Sequence, residues 1–313
     1  MEDFIFHEGQ PPKGYEPDFE YAIFNQQGHL YLQAGGGWQS FFILNKKYRY
    51  IQAAIHLHIE NGIARSPLRS PFGSMEISPM LSHKVLFQFL EFMESRLKAN
   101  GVTAIVIKNP PSIYQPEHAA LLQTFLFNLG YQVTDAEIGA VIEVSEHSYE
   151  SYPDAWERRK LRQAYEAGLD FKQLSFDRLS EVYLFILACR KQRGYSLSMT
   201  LSELKNAADL FTENYLLFGV LKNDSLAAAS IAIRVKDSIL YNFYAAHPKD
   251  FNHVSPVVML IEGMYKFCQT QSIALLDLGT SAIEGKPNFG LLDFKLRLGA
   301  QPTTKFTFEK KIT

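Results

Sequence analysis

Short apolar runs alternate along this chain with segments whose apolar residues recur every three or four positions, the pattern of strands interleaved with helices. β-prone residues dominate 31–33, 40–44 and 50–60, with Ala34-Gly35-Gly36-Gly37 and Asn45-Lys46-Lys47 between them, which predicts a strand meander. The three glycines lack a following Gly-Lys-Ser/Thr and are read as a hairpin turn, not a phosphate cradle. Leu86, Phe89, Leu90, Met93 and Leu97 keep helical spacing, predicting a helix over 82–100 that stops at Asn100-Gly101. A strand over 102–107, a helix over 117–128 and a strand over 140–144 follow. Further on, helices are predicted over 154–167, 177–192 and 200–208, the last opened by a Thr200–Glu203 capping box. Strands at 215–221, 227–235 and 239–245 then lead to a helix over 255–269 with Pro256 in its first position. A strand at 273–277, a helix at 289–297 and a strand at 305–308 complete the chain.

This order repeats. Leu121-Leu122 and Leu291-Leu292 lie 170 positions apart, and Leu129-Gly130 and Leu298-Gly299 lie 169 apart, each set on a helix that follows a strand. A helix of similar length and an antiparallel meander precede each copy. The chain therefore reads as a duplicated α/β (α+β) protein with mixed, partly antiparallel central sheets. The expected domains are 1–150 and 151–313, the second with a helical insertion at about 170–210.

Composition narrows the function. With 47% hydrophobic and 20% charged residues, 313 residues suffice for two cores. The formal charge of −2 gives no global attraction for a polyanion, so any tRNA contact needs a local basic patch. Cys189 and Cys268 fall in apolar helical segments and read as buried thiols, and no cysteine–histidine spacing fits a metal. The acidic N-terminus has no apolar leader core and no stretch reaches membrane-spanning length, so a cytoplasmic protein is expected.

Several residues carry candidate chemistry. Arg65 and Arg69, in a loop with two Ser-Pro pairs, suit either a forked anion grip or a solvated crossover. Arg158, Arg159, Lys160 and Arg162 crowd one helix, as an anion patch or as a solvated face paired with Glu157 and Glu166. Asp277 ends an apolar strand, where it either lines a site or caps the loop at Gly279. Tyr241 and His247 alternate onto one face of their strand and Tyr244 onto the other. Lys249, His253 and Ser255 surround a helix start that offers unpaired amides to an anion. Lys295 sits on a mostly apolar helix, either directed into a cleft or snorkelling to solvent.

The run Trp156-Glu157-Arg158-Arg159-Lys160-Leu161-Arg162, the helical segment ending near Arg190 and Gly194, and Leu276-Asp277-Leu278-Gly279-Thr280-Ser281 with Asn288-Phe289-Gly290 and Phe294-Lys295-Leu296-Arg297-Leu298-Gly299 resemble the FemABX-type branch of the acyl-CoA N-acyltransferase (GNAT) superfamily. The resemblance implies a tandem GNAT-like fold and transfer of an acyl or aminoacyl group to an amine acceptor, small or peptide-like. The donor it implies is acyl-CoA or an aminoacyl-tRNA, with no tightly bound cofactor and no metal. It also implies that Lys295, in its Phe294-Lys295 pair, faces the reactive carbonyl, with Phe289 and Phe294 at the substrate. Strand position, not the resemblance, offers Asp277 as an acceptor for the nucleophile's hydrogen and Tyr241 or His247 as the group that protonates the leaving group or positions the acceptor. One departure bears on the donor: 246–256 has no glycine where a GNAT domain uses a glycine-rich turn for pyrophosphate, and Glu76 stands at the matching place in the first half. That departure suits an alternative, a degenerate GNAT-like module that binds a small molecule or protein without turnover.

Overall fold

The computed structural model describes residues 3–283 and 285–312. Met1, Glu2, Glu284 and Thr313 lie outside the described residues, so the reading of the N-terminal segment applies to its start only as sequence. The elements are β1 (Phe4–Glu8), β2 (Glu16–Pro17), α1 (Gln27–Gln33), β3 (Trp38–Asn45), β4 (Tyr50–Glu60), β5 (Ile63–Ser66), β6 (Glu76–Ile77), α2 (His83–Ala99), β7 (Ala104–Lys108), α3 (Pro116–Asn128) and β8 (Gln132–Glu143). There follow α4 (Ala155–Glu166), β9 (Asp170–Leu174), α5 (Leu179–Lys191), α6 (Leu201–Leu210), β10 (Tyr215–Lys222), β11 (Ser225–Lys236) and β12 (Ile239–Ala246). Last come α7 (Pro256–Thr270), β13 (Leu275–Thr280), β14 (Ala282–Ile283), β15 (Lys286–Pro287), α8 (Phe289–Arg297) and β16 (Gln301–Lys311).

The chain divides into two compact units, one of residues up to Glu137 together with Thr304 onward, the other Ile138–Thr303. The division thus falls at 137/138 and not at 150/151, and the end of the chain returns to the first unit. A strand counted by its own hydrophobic pattern cannot show this, because β16 looks alike whichever sheet receives it.

In the first unit β1, β3, β4 and β5 pair antiparallel in turn, β5 pairs parallel with β7, and β7 antiparallel with β16. α2 lays Leu86, Phe89, Leu90, Met93 and Leu97 on this sheet, all at most 1% exposed. Two expectations fail here. Residues 31–33 end a helix, α1, because His29, Leu30 and Gln33 bury one helical face; the glycines after it lead from helix to strand and form no hairpin. Glu76 lies on β6, well ahead of α2, buried and accepting the Ala22 amide and the Asn25 side chain at 3.0 and 2.7 Å.

In the second unit β9, β10, β11 and β12 pair antiparallel, β12 runs parallel to β13, and β13 pairs antiparallel with the end of β8. The expected helical insertion therefore begins with a strand, β9, before α5 and α6. The capping box on α6 is complete, Thr200 and Glu203 each accepting from the other's backbone. α7 packs on the sheet so closely that a Cβ on Gly263 would sit 2.2 Å from the Phe171 ring. Cys189 and Cys268 are free and buried. Among the described residues no helix is long and apolar enough to cross a membrane.

The repeat is visible in the hydrogen bonds. Leu129 and Leu298 cap α3 and α8, and Gly130 and Gly299 follow at φ +88° and +89°. In each copy the glycine amide reaches back three residues, to Phe127 and Leu296, and the next amide reaches back five, to Leu126 and Lys295. These are two complete Schellman endings in equivalent places. The turns before the parallel strands also match, Val102 N to Leu97 O and Ile273 N to Cys268 O. Counted from these closures, Leu126 corresponds to Lys295 and Val106 to Asp277.

Candidate active site

Each unit has two adjacent parallel strands that pair and then part. In the second unit β12 and β13 pair from Ile239/Leu275 as far as Tyr241/Asp277, and each continues without the other to Ala246 and Thr280. β13 also breaks register with β8 between Asp277 and Thr280, where Gly279 adopts φ +78°. A Cβ there would meet the Tyr241 ring at 3.3 Å, so the glycine admits both the turn and the tyrosine. In the first unit the corresponding gap beyond Ser66/Ile107 is sealed by the loop that follows β5. Gly73 donates to Lys108 O, Ser74 N to Ser66 Oγ, and Ser74 Oγ to Asn109 Oδ1 at 2.7 Å.

Lys295 is 6% exposed, which rules out the snorkelling reading. Its Nζ donates to Gly279 O and Thr280 O, both at 2.8 Å, on the stretch of β13 beyond the fork. Burial pushes this ammonium down to about 8, against the pull of Asp277 and with the help of the Arg190 cation. Asp277, 2% exposed, accepts the Gly279 amide at 2.6 Å, so it does cap the turn while charging the floor of the fork. Ser281, next in line, is fully buried, and its Oγ has no hydrogen-bond partner among the described residues. Asn288 closes the following loop by accepting the Leu291 amide and starts α8.

The side wall is aromatic and basic. The Arg190 guanidinium lies 5.6 Å from the Tyr244 ring centroid, and burial lowers its pKa against the opposing pull of Tyr244, Tyr241 and Tyr195. Tyr244 OH meets Ser198 Oγ at 2.6 Å and accepts the Met199 amide at 3.0 Å, drawing the segment between α5 and α6 onto β12. A cavity of about 500 Å³ opens along that segment, lined by Tyr183, Leu187, Lys191, Tyr195 and Glu203 among others.

Other expected residues are placed differently. His247 bonds Asn252 at 2.8 Å, and Arg193 donates to its carbonyl at 2.6 Å. Burial holds its imidazole below the ordinary value and Arg193 adds to the effect, against the Asn252 bond. It braces the loop before α7. Lys249 and His253 are exposed, His253 Nδ1 facing Asp250 O at 2.8 Å, and Ser255 takes φ +45° without capping α7 through its side chain. Phe289 is 68% exposed at the start of α8, whereas Phe294 packs against the core. Arg158, Arg159 and Arg162 are exposed on α4. Arg158 donates to Pro153 O, Arg159 lies 4.2 Å over Trp156, and Glu157 turns from this face to Arg297 at 3.0 Å. Arg65 and Arg69 belong to the first unit, where Gln33 Oε1 holds the Leu68 and Arg69 amides at 3.2 Å.

Two residues beside the fork, Arg190 and Ser281, lie in the segments that carry the resemblance but receive no site role from the sequence. Arg190 follows Ile186 by one helical turn on the stripe that buries Val182, Tyr183 and Ile186, and a cation on an apolar stripe was the available signal. For Ser281 the only signal was its place at the end of the Leu276–Ser281 motif, because its side chain reads as one more serine after a Gly-Thr turn.

The fold is a tandem GNAT-like one. Residues 155–295, all within the second unit, match the acetyltransferase (GNAT) domain family model. Among solved structures, FemX superposes with a TM-score of 0.70 at 13% identity, over 94% of this chain and 93% of that one. The C-terminal domain of a putative lysylphosphatidylglycerol synthetase from Agrobacterium fabrum gives 0.59 at 11% identity, over 92% and 88%. A tandem GNAT protein from the clavulanic acid biosynthesis pathway gives 0.50 at 10% identity, over 88% and 82%. No curated protein sequence matches the chain.

Proposed function

We propose that the second unit is the catalytic half of an N-acyltransferase or aminoacyltransferase, which moves an acyl group from a thioester or a tRNA ester to an amine. The observation that carries this reading is Lys295. A buried ammonium occupies a core position that holds Leu126 in the other copy, and two of its three N–H groups are spent on Gly279 O and Thr280 O. The third has no protein acceptor among the described residues, and it would meet an oxygen in the fork.

In the reaction a neutral amine attacks the acyl carbon, a C–N bond forms, and negative charge gathers on the carbonyl oxygen. Lys295 donates to that oxyanion from a site already stripped of water. The C–S or C–O bond then breaks, and the proton lost by the amine is delivered to the departing group. Tyr241, beside Gly279 at the fork, is the hydroxyl we assign to that relay. Arg190 balances an anionic part of the donor or acceptor, and the orphaned Ser281 hydroxyl bonds a polar atom of the bound substrate.

Incubating the purified protein with acyl-CoA and aminoacyl-tRNA donors and a panel of amines tests this, with Lys295→Met as the control. Turnover that the variant loses supports the reading. Binding of a donor with no turnover in any combination would favour the degenerate module, the reading that the missing glycines at 246–256 support.

A further inference from the structure

The hairpin joining β3 to β4 carries a surface that the chemistry of the fork does not use. Residues 46–50, Lys-Lys-Tyr-Arg-Tyr, are all exposed, with Tyr48 at 57%. The tip is preshaped. Buried Asn45 accepts the Lys47 and Tyr48 amides at 3.1 and 3.2 Å, and Arg49 takes φ +58°. The Arg49 side chain donates to Lys13 O and Gly14 O at 3.4 and 3.5 Å and lies 5.1 Å over the Tyr15 ring. That ties the Lys13–Tyr15 turn to the tip. Tyr48 stacks with Tyr50 at 6.2 Å, and Lys47 stands 5.1 Å from the Tyr48 centroid. Lys13, Lys46, Lys47 and Arg49 are thus gathered with three tyrosines, and none of these cations forms an ion pair among the described residues. Glu16, opposite Tyr50 in register, forms no ion pair among the described residues either.

Tyr15 packs on the small core of Phe42, Leu44, Ile51 and Ala54, but exposed Tyr48 and Tyr50 serve no core and the lysines beside them repel one another, so the fold itself does not require the tip of this surface. We propose that the hairpin docks the protein on a membrane surface rich in anionic phospholipid. The lysines meet the headgroup phosphates, and the tyrosine rings settle at the level where headgroup gives way to acyl chain. Single-stranded nucleic acid is the competing polyanion, but its sites stack bases on open ring faces along a groove. Here the rings are already engaged with Tyr50, Lys47 and Arg49, and the surface is the closed end of a hairpin.

Sedimentation of the full chain with vesicles of phosphatidylcholine alone, or of phosphatidylcholine with phosphatidylglycerol, tests the proposal. Binding is expected only to the anionic vesicles and should weaken with salt. The double variant K46E/K47E should lose it by roughly 25-fold or more, at about fivefold per lysine removed. Tyr48→Ser, a second variant at the same exposed tip, should weaken binding by a factor that salt changes little. Failure to bind anionic vesicles at low salt, equal binding to both kinds, or binding undiminished in K46E/K47E would overturn the proposal. So would single-stranded RNA that binds through the same lysines and displaces the vesicles.

Discussion

Replacing Lys295 by methionine separates chemistry from folding more cleanly than any other change in this protein. The methionine keeps the unbranched stem against its neighbours and removes only the charge. In the parent, a fall of the ammonium from 10.5 to about 8 corresponds to about 3 kcal/mol held against the charged form. The substitution relieves that penalty but removes the lysine's bond from both the Gly279 and the Thr280 carbonyl, which costs about 1–3 kcal/mol for each. These terms largely offset one another, so Lys295→Met should melt within a few degrees of the parent. Lys295→Ala also opens a cavity and should be about 2 kcal/mol less stable. Turnover should tell the opposite story. An oxyanion donor is worth about 3 kcal/mol, so Lys295→Met should lose roughly a hundredfold in kcat with little change in KM. The ammonium is the working form, so kcat/KM of the parent should decline as pH rises through about 8, a limb absent from the variant. Stability follows the same group with its own sign. Folding depresses this pKa below the unfolded value, the unfolded chain holds the extra proton between 8 and 10.5, and the parent therefore gains stability across that window. Urea unfolding of both proteins at pH 7 and pH 10 reads this directly. Turnover retained in Lys295→Met would refute the oxyanion role, and a collapsed melting temperature would make the lysine a structural donor.

Three further outcomes follow from the packing and the charges. Gly263→Ala forces a methyl into the Phe171 ring and should destabilise the second unit by about 1–3 kcal/mol in chemical denaturation. Glu137 is ion-paired at 2.9 Å with both Lys108 and Lys305; burial alone would raise its pKa, but the two lysines prevail and hold it below 4.5. Its stabilising contribution is therefore present above that value and lost as pH falls, so Glu137→Gln should cost about 2 kcal/mol at pH 7 and progressively less in acid. Titration calorimetry with CoA should show weak binding, because the start of α7 lacks the glycines that let a pyrophosphate approach; tight binding would show that the Ser255 turn substitutes for them.

How far the fold was legible follows from which local rules the residues obey. The Leu-Gly pairs marked the repeat because a Schellman ending needs a residue that accepts φ near +90°, a demand that survives whatever else changes in a duplicated unit. The division between units was not legible, since β8 and β16 carry the alternation of any half-buried strand. At 31–33 the composition of Tyr31-Leu32-Gln33 favours a strand, and only the spacing of His29, Leu30 and Gln33 betrays the helix α1 that forms there.

The site was legible at one residue through a rule it breaks. A Schellman ending favours an apolar side chain three residues before its cap, to pack on the residue beyond the glycine. The first copy obeys, with Leu126 fully buried beneath Tyr131 at 2% exposure. The second places Lys295 there, its Nζ turned to Gly279 O and Thr280 O, and so gives up apolar packing while burying a charge at a cost the first copy avoids. Val106 against Asp277 repeats the contrast on the neighbouring strand. Both exchanges run from apolar to ionised at equivalent buried or half-buried places, and both fall where β12 and β13 part. In the first unit that gap is closed by the loop carrying Gly73 and Ser74. Ionisable side chains that oppose packing, gathered where β12 and β13 part, mark where this chain departs from what folding alone requires.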